Sequence, residues 1–111
     1  MEGVIEIDCS LITDWESFHD VFMENMGFPD FYGRNLNAWI DCMSSLADPE
    51  EGLTKVHCSK GEVVTLNLKN ASSLKKHTPE IYEALSECSA FVNYRQLEVG
   101  EPAVLALAYD L

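Results

Sequence analysis

Phe28-Pro29-Asp30-Phe31-Tyr32-Gly33-Arg34-Asn35-Leu36-Asn37-Ala38-Trp39-Ile40-Asp41-Cys42-Met43 reads as a stiff aromatic loop feeding a capped amphipathic helix. Pro29 and Gly33 bound the loop, and Asn35 or Gly33 caps the helix. Leu36, Trp39, Met43 and Leu46 recur at helical spacing and form a core stripe. Asn37, Asp41, Ser44 and Asp48 share the opposite face, at i, i+4, i+7 and i+11. Ile40 sits at the border between the two. A plain core helix does not account for Phe31, Tyr32 and Ile40, which are large and lie near the polar edge. Aromatics beside an acid on a rigid helix suit a protein-binding patch.

Upstream, Val4-Ile5-Glu6-Ile7-Asp8 is a β-rich run and a first strand. Thr13-x-x-Glu16 has the form of a capping box, with Ile12 as its staple. Trp15, Phe18, Phe22 and Met26 follow at helical spacing, leaving His19, Asp20 and Glu24 on the polar side. Gly27 ends that helix. Downstream, Asp48-Pro49-Glu50-Glu51-Gly52 stops the quoted helix, and a polar connector runs to Gly61. Residues 63–68 are nearly continuous in apolar side chains, the mark of a central strand. Asn70-Ala71-Ser72-Ser73-Leu74 suggests a short helical turn.

Thr78-Pro79-Glu80-Ile81 opens another helix, with a Thr cap, Pro at the first position and an acid in the first turn. Ile81, Leu85, Cys88 and Val92 carry it past Ser89. A strand over residues 91–99 is the alternative, and the spacing favours the helix. Residues 103–109 form a last strand. The order β, α, α, β, α, β, with helical connections, favours parallel pairing and right-handed crossovers. The expected fold is α/β, a small three-stranded parallel sheet packed with helices, in one domain spanning residues 1–111.

Nineteen acids against seven bases give a formal charge of -12, and the first 33 residues hold eight acids and no Lys or Arg. Such a field repels phosphate backbones, which argues against nucleic acid as a partner. It would steer in a basic protein. No apolar run reaches the ~20 residues of a membrane span. The acidic opening Met1-Glu2-Gly3 lacks the basic-then-apolar order of a secretory signal, so a cytoplasmic location is expected. The four cysteines (Cys9, Cys42, Cys58, Cys88) form no C-x-x-C pair and read as buried free thiols.

Catalytic chemistry finds little footing. His19, His57 and His77 read as surface or capping residues, and the neighbours His57 and Cys58 rarely make a working base and nucleophile. There is no metal-ligand spacing, no Walker loop, no G-x-G-x-x-G and no G-x-S-x-G. No metal and no cofactor is expected.

Pro29, Tyr32-Gly33, Asn35-Leu36, Ala38 and Asp41-Cys42 resemble the P-x-[YF]-Y-G-x-N-L-x-A-x-x-D-C signature of the barstar family, intracellular inhibitors of barnase-type ribonucleases. The motif covers about fifteen residues, and the order of strands and helices around it also fits that family. The resemblance implies a decoy. The aromatic loop and following helix would plug a ribonuclease active site, with Asp41 in the pocket meant for the RNA phosphate. A ribonuclease clusters Arg, Lys and His to stabilise a developing phosphorane, and a carboxylate can bond to that cluster bidentately. On this reading Phe31, Tyr32, Gly33, Asn35, Asn37, Ile40, Asp41 and Ser44 bind the partner, a basic ribonuclease or ribonuclease toxin. Glu83 and Glu87 are both candidates for the family's further acid on the last helix.

Four positions depart from the family's best-known member. Asn37 stands in place of an acid, Ile40 in place of a tryptophan, Phe31 in place of a tyrosine and Arg34 in place of an acid. They point to a cognate ribonuclease other than barnase, since immunity proteins gain specificity through local charge and shape. An alternative keeps the fold and changes the use, to an adaptor for a basic protein that is not a ribonuclease. A third reading, a small enzyme using His57 or Cys58, ranks last.

Overall fold

The computed structural model describes residues 3–111. The acidic opening residues Met1 and Glu2 lie outside the described residues. Strand β1 (Val4–Asp8) leads through a 3-10 turn (Cys9–Leu11) into helix α1 (Trp15–Met26) and helix α2 (Leu36–Met43). A second 3-10 turn (Pro49–Glu51) precedes strand β2 (Val64–Lys69). Helix α3 (Ala71–His77), helix α4 (Pro79–Glu98) and strand β3 (Leu105–Asp110) complete the chain. The three strands pair in parallel in the order β1-β2-β3, with Ile5 opposite Leu66 and Leu66 opposite Leu107. This is the α/β arrangement expected from the helical connections. The helix reading of residues 91–99 also holds, because α4 runs through to Glu98.

β2 is central, but it is not buried on both sides. Val64, Leu66 and Leu68 are inaccessible, while Thr65, Asn67 and Lys69 alternate with them at intermediate exposure. Parallel sheets usually have both faces covered. Here the second face is polar, and Lys69 pairs with Asp110 across the register at 3.1 Å. The helices pack on the apolar face. At its centre Trp39 of α2 meets Phe22 edge-on at 5.5 Å and Phe18 at 6.3 Å, so α2 is seated by its indole against α1.

Several helix ends differ from the sequence reading. α1 starts one residue later than the Thr13–Glu16 box implies. Asp14 is the cap, accepting from the Ser17 amide at 2.8 Å, and the Ser17 hydroxyl accepts in return from the Asp14 amide at 3.0 Å. The Ser17 amide and the Ser17 hydroxyl, which also donates to Asp14 Oδ1 at 2.8 Å, lower the Asp14 pKa. Trp15, expected in the core stripe, is 38% exposed. Gly27 does end α1, at φ 71°, and a Cβ there would stand 2.6 Å from the Cβ of Lys55.

α2 is shorter than expected. It stops at Met43, and beyond it Ser44 turns its hydroxyl onto the Ile40 carbonyl at 2.6 Å and Ser45 does the same to Asp41 at 3.3 Å. Ser44 is the C-cap of α2, and Asp48 lies beyond the helix. Thr78 precedes Pro79 as expected, but its hydroxyl donates back to the Leu74 carbonyl at 3.1 Å and caps nothing in α4.

Candidate protein-binding site

The loop between α1 and α2 is held from three sides. Phe28 is buried and its ring lies 4.7 Å from that of Tyr32. The Tyr32 amide closes a turn onto the Pro29 carbonyl at 2.9 Å. The Tyr32 hydroxyl lies 2.6 Å from Nδ1 of His19. Burial, then the charge of Arg34, lowers the His19 pKa, and burial raises that of Tyr32. The imidazole is thus neutral and the phenol protonated, and the two share one short hydrogen bond whose donor is set by the His19 tautomer. His19, expected on a polar surface, is buried because this loop folds over it.

Arg34 supplies the third tie. It adopts φ 55°, a left-handed conformation uncommon for a residue with a Cβ. Its guanidinium pairs with Asp20 at 2.7 Å and donates to the Glu16 carbonyl at 3.0 Å. Its charge is drawn back onto α1. The sequence reading noted it as a base standing in place of an acid. With the loop so pinned, Phe31 projects outward at 77% exposure.

Asn35, rather than Gly33, caps α2: its side-chain oxygen accepts from the Ala38 amide at 2.8 Å. A Cβ on Gly33 would lie 3.3 Å from the Asn35 amide nitrogen, so a small residue leaves the cap undisturbed. Along α2, Asn37 and Asp41 are exposed on the outer face. Ile40 is 8% exposed and Tyr32 6%, so both belong to the core and neither offers its side chain to a partner in this state. Ser44 is half-buried, its hydroxyl spent on the Ile40 carbonyl. Of the eight candidate residues, the structure brings Phe31, Gly33, Asn35, Asn37 and Asp41 to the surface, on the loop and the helix it feeds.

The end of α4 joins this surface, which the sequence did not signal. Arg95 Nη1 lies 3.0 Å from Asp41 Oδ1, and Gln96 donates to the Ser44 carbonyl at 2.7 Å. Asp41, Ser44, Asp48, Arg95, Val99 and Glu101 line a shallow depression there. Glu83 and Glu87 are exposed but lie about 18 and 12 Å before Arg95 along the helix axis, at ~1.5 Å per residue. The α4 residue that reaches Asp41 is a base. Contacts 54 residues apart in sequence leave no local pattern to read.

The thiol next to Asp41 is not reactive: burial, with the Asp41 charge adding to it, pushes Cys42 up to about 11. Cys9 is buried and likewise raised to about 11, while Cys58 and Cys88 are half-buried. No cluster of His, Cys, Asp and Glu suited to a metal is present among the described residues. No helix among them is long and apolar enough to cross a membrane.

The structure thus fixes a projecting aromatic and an exposed carboxylate to a small parallel α/β scaffold. The family model described as Barstar (barnase inhibitor) matches residues 3–107, and the chain belongs to that family. A relative from Bacillus subtilis (strain 168), named "Putative ribonuclease inhibitor YrdF", is 41% identical over 44 residues. That match spans 40% of this chain and about half (48%) of the relative's length.

Proposed function

We propose that this protein binds and blocks a basic, barnase-type ribonuclease as a cytoplasmic immunity protein, with Asp41 standing in for the RNA phosphate. The observation that carries the reading is the 62% exposed Asp41 carboxylate, held on α2, the helix that follows the loop from which Phe31 projects. A ribonuclease cleft gathers donors for phosphate oxygens, and a fixed carboxylate answers the same donors. Phe31 supplies the apolar contact that excludes water around the charged bonds. Asn35 and Asn37 border them with neutral polar groups. Tyr32 and Ile40 serve from beneath, by fixing the loop and the helix. The name of the Bacillus relative agrees with this use.

The net charge of -12 speeds approach to a basic partner. The test is to titrate a barnase-type ribonuclease with this protein and with Phe31→Ala. Wild type should suppress RNA cleavage stoichiometrically. Phe31→Ala, altering an exposed side chain, should keep the fold and inhibit at least about tenfold more weakly. Equal inhibition by the two would remove the loop from the mechanism.

A further inference from the structure

Both arginines of this chain are engaged by acids, but only one of them at the binding surface. Arg34 is turned onto Asp20 of α1. Arg95 instead reaches across from α4 to Asp41, the carboxylate on which the proposed function rests. Among the remaining bases, Lys60 pairs with Glu101, Lys69 with Asp110, and Lys75 stands over the Tyr82 ring at 5.8 Å. Arg95 is thus the cation placed against Asp41.

We infer that Arg95 is a specificity-determining residue: it competes with the partner for Asp41 and so selects against ribonucleases whose cleft is purely cationic. The inference rests on Asp41 being the phosphate mimic. Two features of the geometry carry it. First, the pair is a single N–H to one oxygen, with both side chains partly exposed (41% and 62%). It can therefore open, and the second carboxylate oxygen and the other guanidinium donors stay available to a partner. Second, Arg95 does not reach Asp41 by chance of a mobile chain end. The next residue, Gln96, anchors the same turn of α4 to the Ser44 carbonyl at the end of α2.

A cluster of Arg, Lys and His arriving at Asp41 meets this fixed positive charge at short range, and like charges so juxtaposed are penalised. A ribonuclease that binds despite it must bring an acid of its own to Arg95. Specificity then comes from a repulsive element beside the attractive one.

The experiment uses barnase as the probe. Inhibition constants are measured for wild type, Arg95→Gln, Arg95→Glu, Asp41→Asn and the double variant Arg95→Glu/Asp41→Asn. Exposed ion pairs contribute little to stability, and thermal melts verify that each variant is folded. Arg95→Gln should inhibit barnase at least about tenfold more tightly than wild type, and Arg95→Glu at least as tightly again. The gain should vanish in the double variant. No gain in either Arg95 variant, or a loss, overturns the inference. If Asp41→Asn alone weakens inhibition while the Arg95 variants gain nothing, the phosphate-mimic reading stands and the competition falls. If Arg95→Glu gains and Asp41→Asn costs nothing in either background, Asp41 is not the group Arg95 guards, and both readings fall.

Discussion

The Tyr32 hydroxyl and Nδ1 of His19 share a hydrogen bond across 2.6 Å, tying the aromatic loop to α1 thirteen residues earlier in the chain. Phe31, one residue away, is exposed on a loop whose base is thereby immobile. Tyr32→Phe keeps the ring and removes only the hydroxyl. It should leave the His19 nitrogen buried without a partner and cost about 1–2 kcal/mol in urea unfolding. A variant as stable as wild type would show that the bond contributes nothing net.

The burial of His19 beneath the loop makes stability depend on pH. The folded state lowers the His19 pKa from its ordinary 6.5, so the unfolded chain takes up the proton first as pH falls. The contribution is complete above 6.5 and is lost below it, until the folded protein also protonates His19. Urea midpoints should therefore drop as pH falls below about 6.5, before the carboxylates titrate. His19→Gln should flatten that slope. An unchanged slope in the variant would assign the pH dependence elsewhere.

Asn35 holds the first turn of α2 through the Ala38 amide at 2.8 Å, and α2 is only eight residues long. Asn35→Ala should cost about 1 kcal/mol by chemical denaturation, and Asn35→Ser should recover most of it. If Ser recovers nothing, the side-chain oxygen is not acting as a cap.

Much of the fold was legible because it is written in local patterns. Val4 to Asp8 and the run from Val64 announce strands by β-branched and apolar content, and Gly27 and Pro79 punctuate helices at the positions they occupy. Asn35 was legible for the same reason, since a cap acts over three residues. What failed was whatever depends on distant packing. His19 reads as polar-side until the aromatic loop covers it, and Ile40 reads as an edge residue until the helix is seated by Trp39. α2 ends early, where two serine hydroxyls turn back onto carbonyls of its last turn. Arg95 was missed at the site because helical spacing says which face of α4 it occupies but not which helix lies opposite.

The central claim is that Asp41 is the group a ribonuclease mistakes for phosphate. Calorimetric titration of the ribonuclease it inhibits with wild type and Asp41→Ala measures this directly. The side chain is exposed, so the variant should fold as wild type does. Its affinity should fall by about 2–5 kcal/mol, because the partner's cations would be left desolvated and unmatched. A dissociation constant unchanged from wild type would contradict the account.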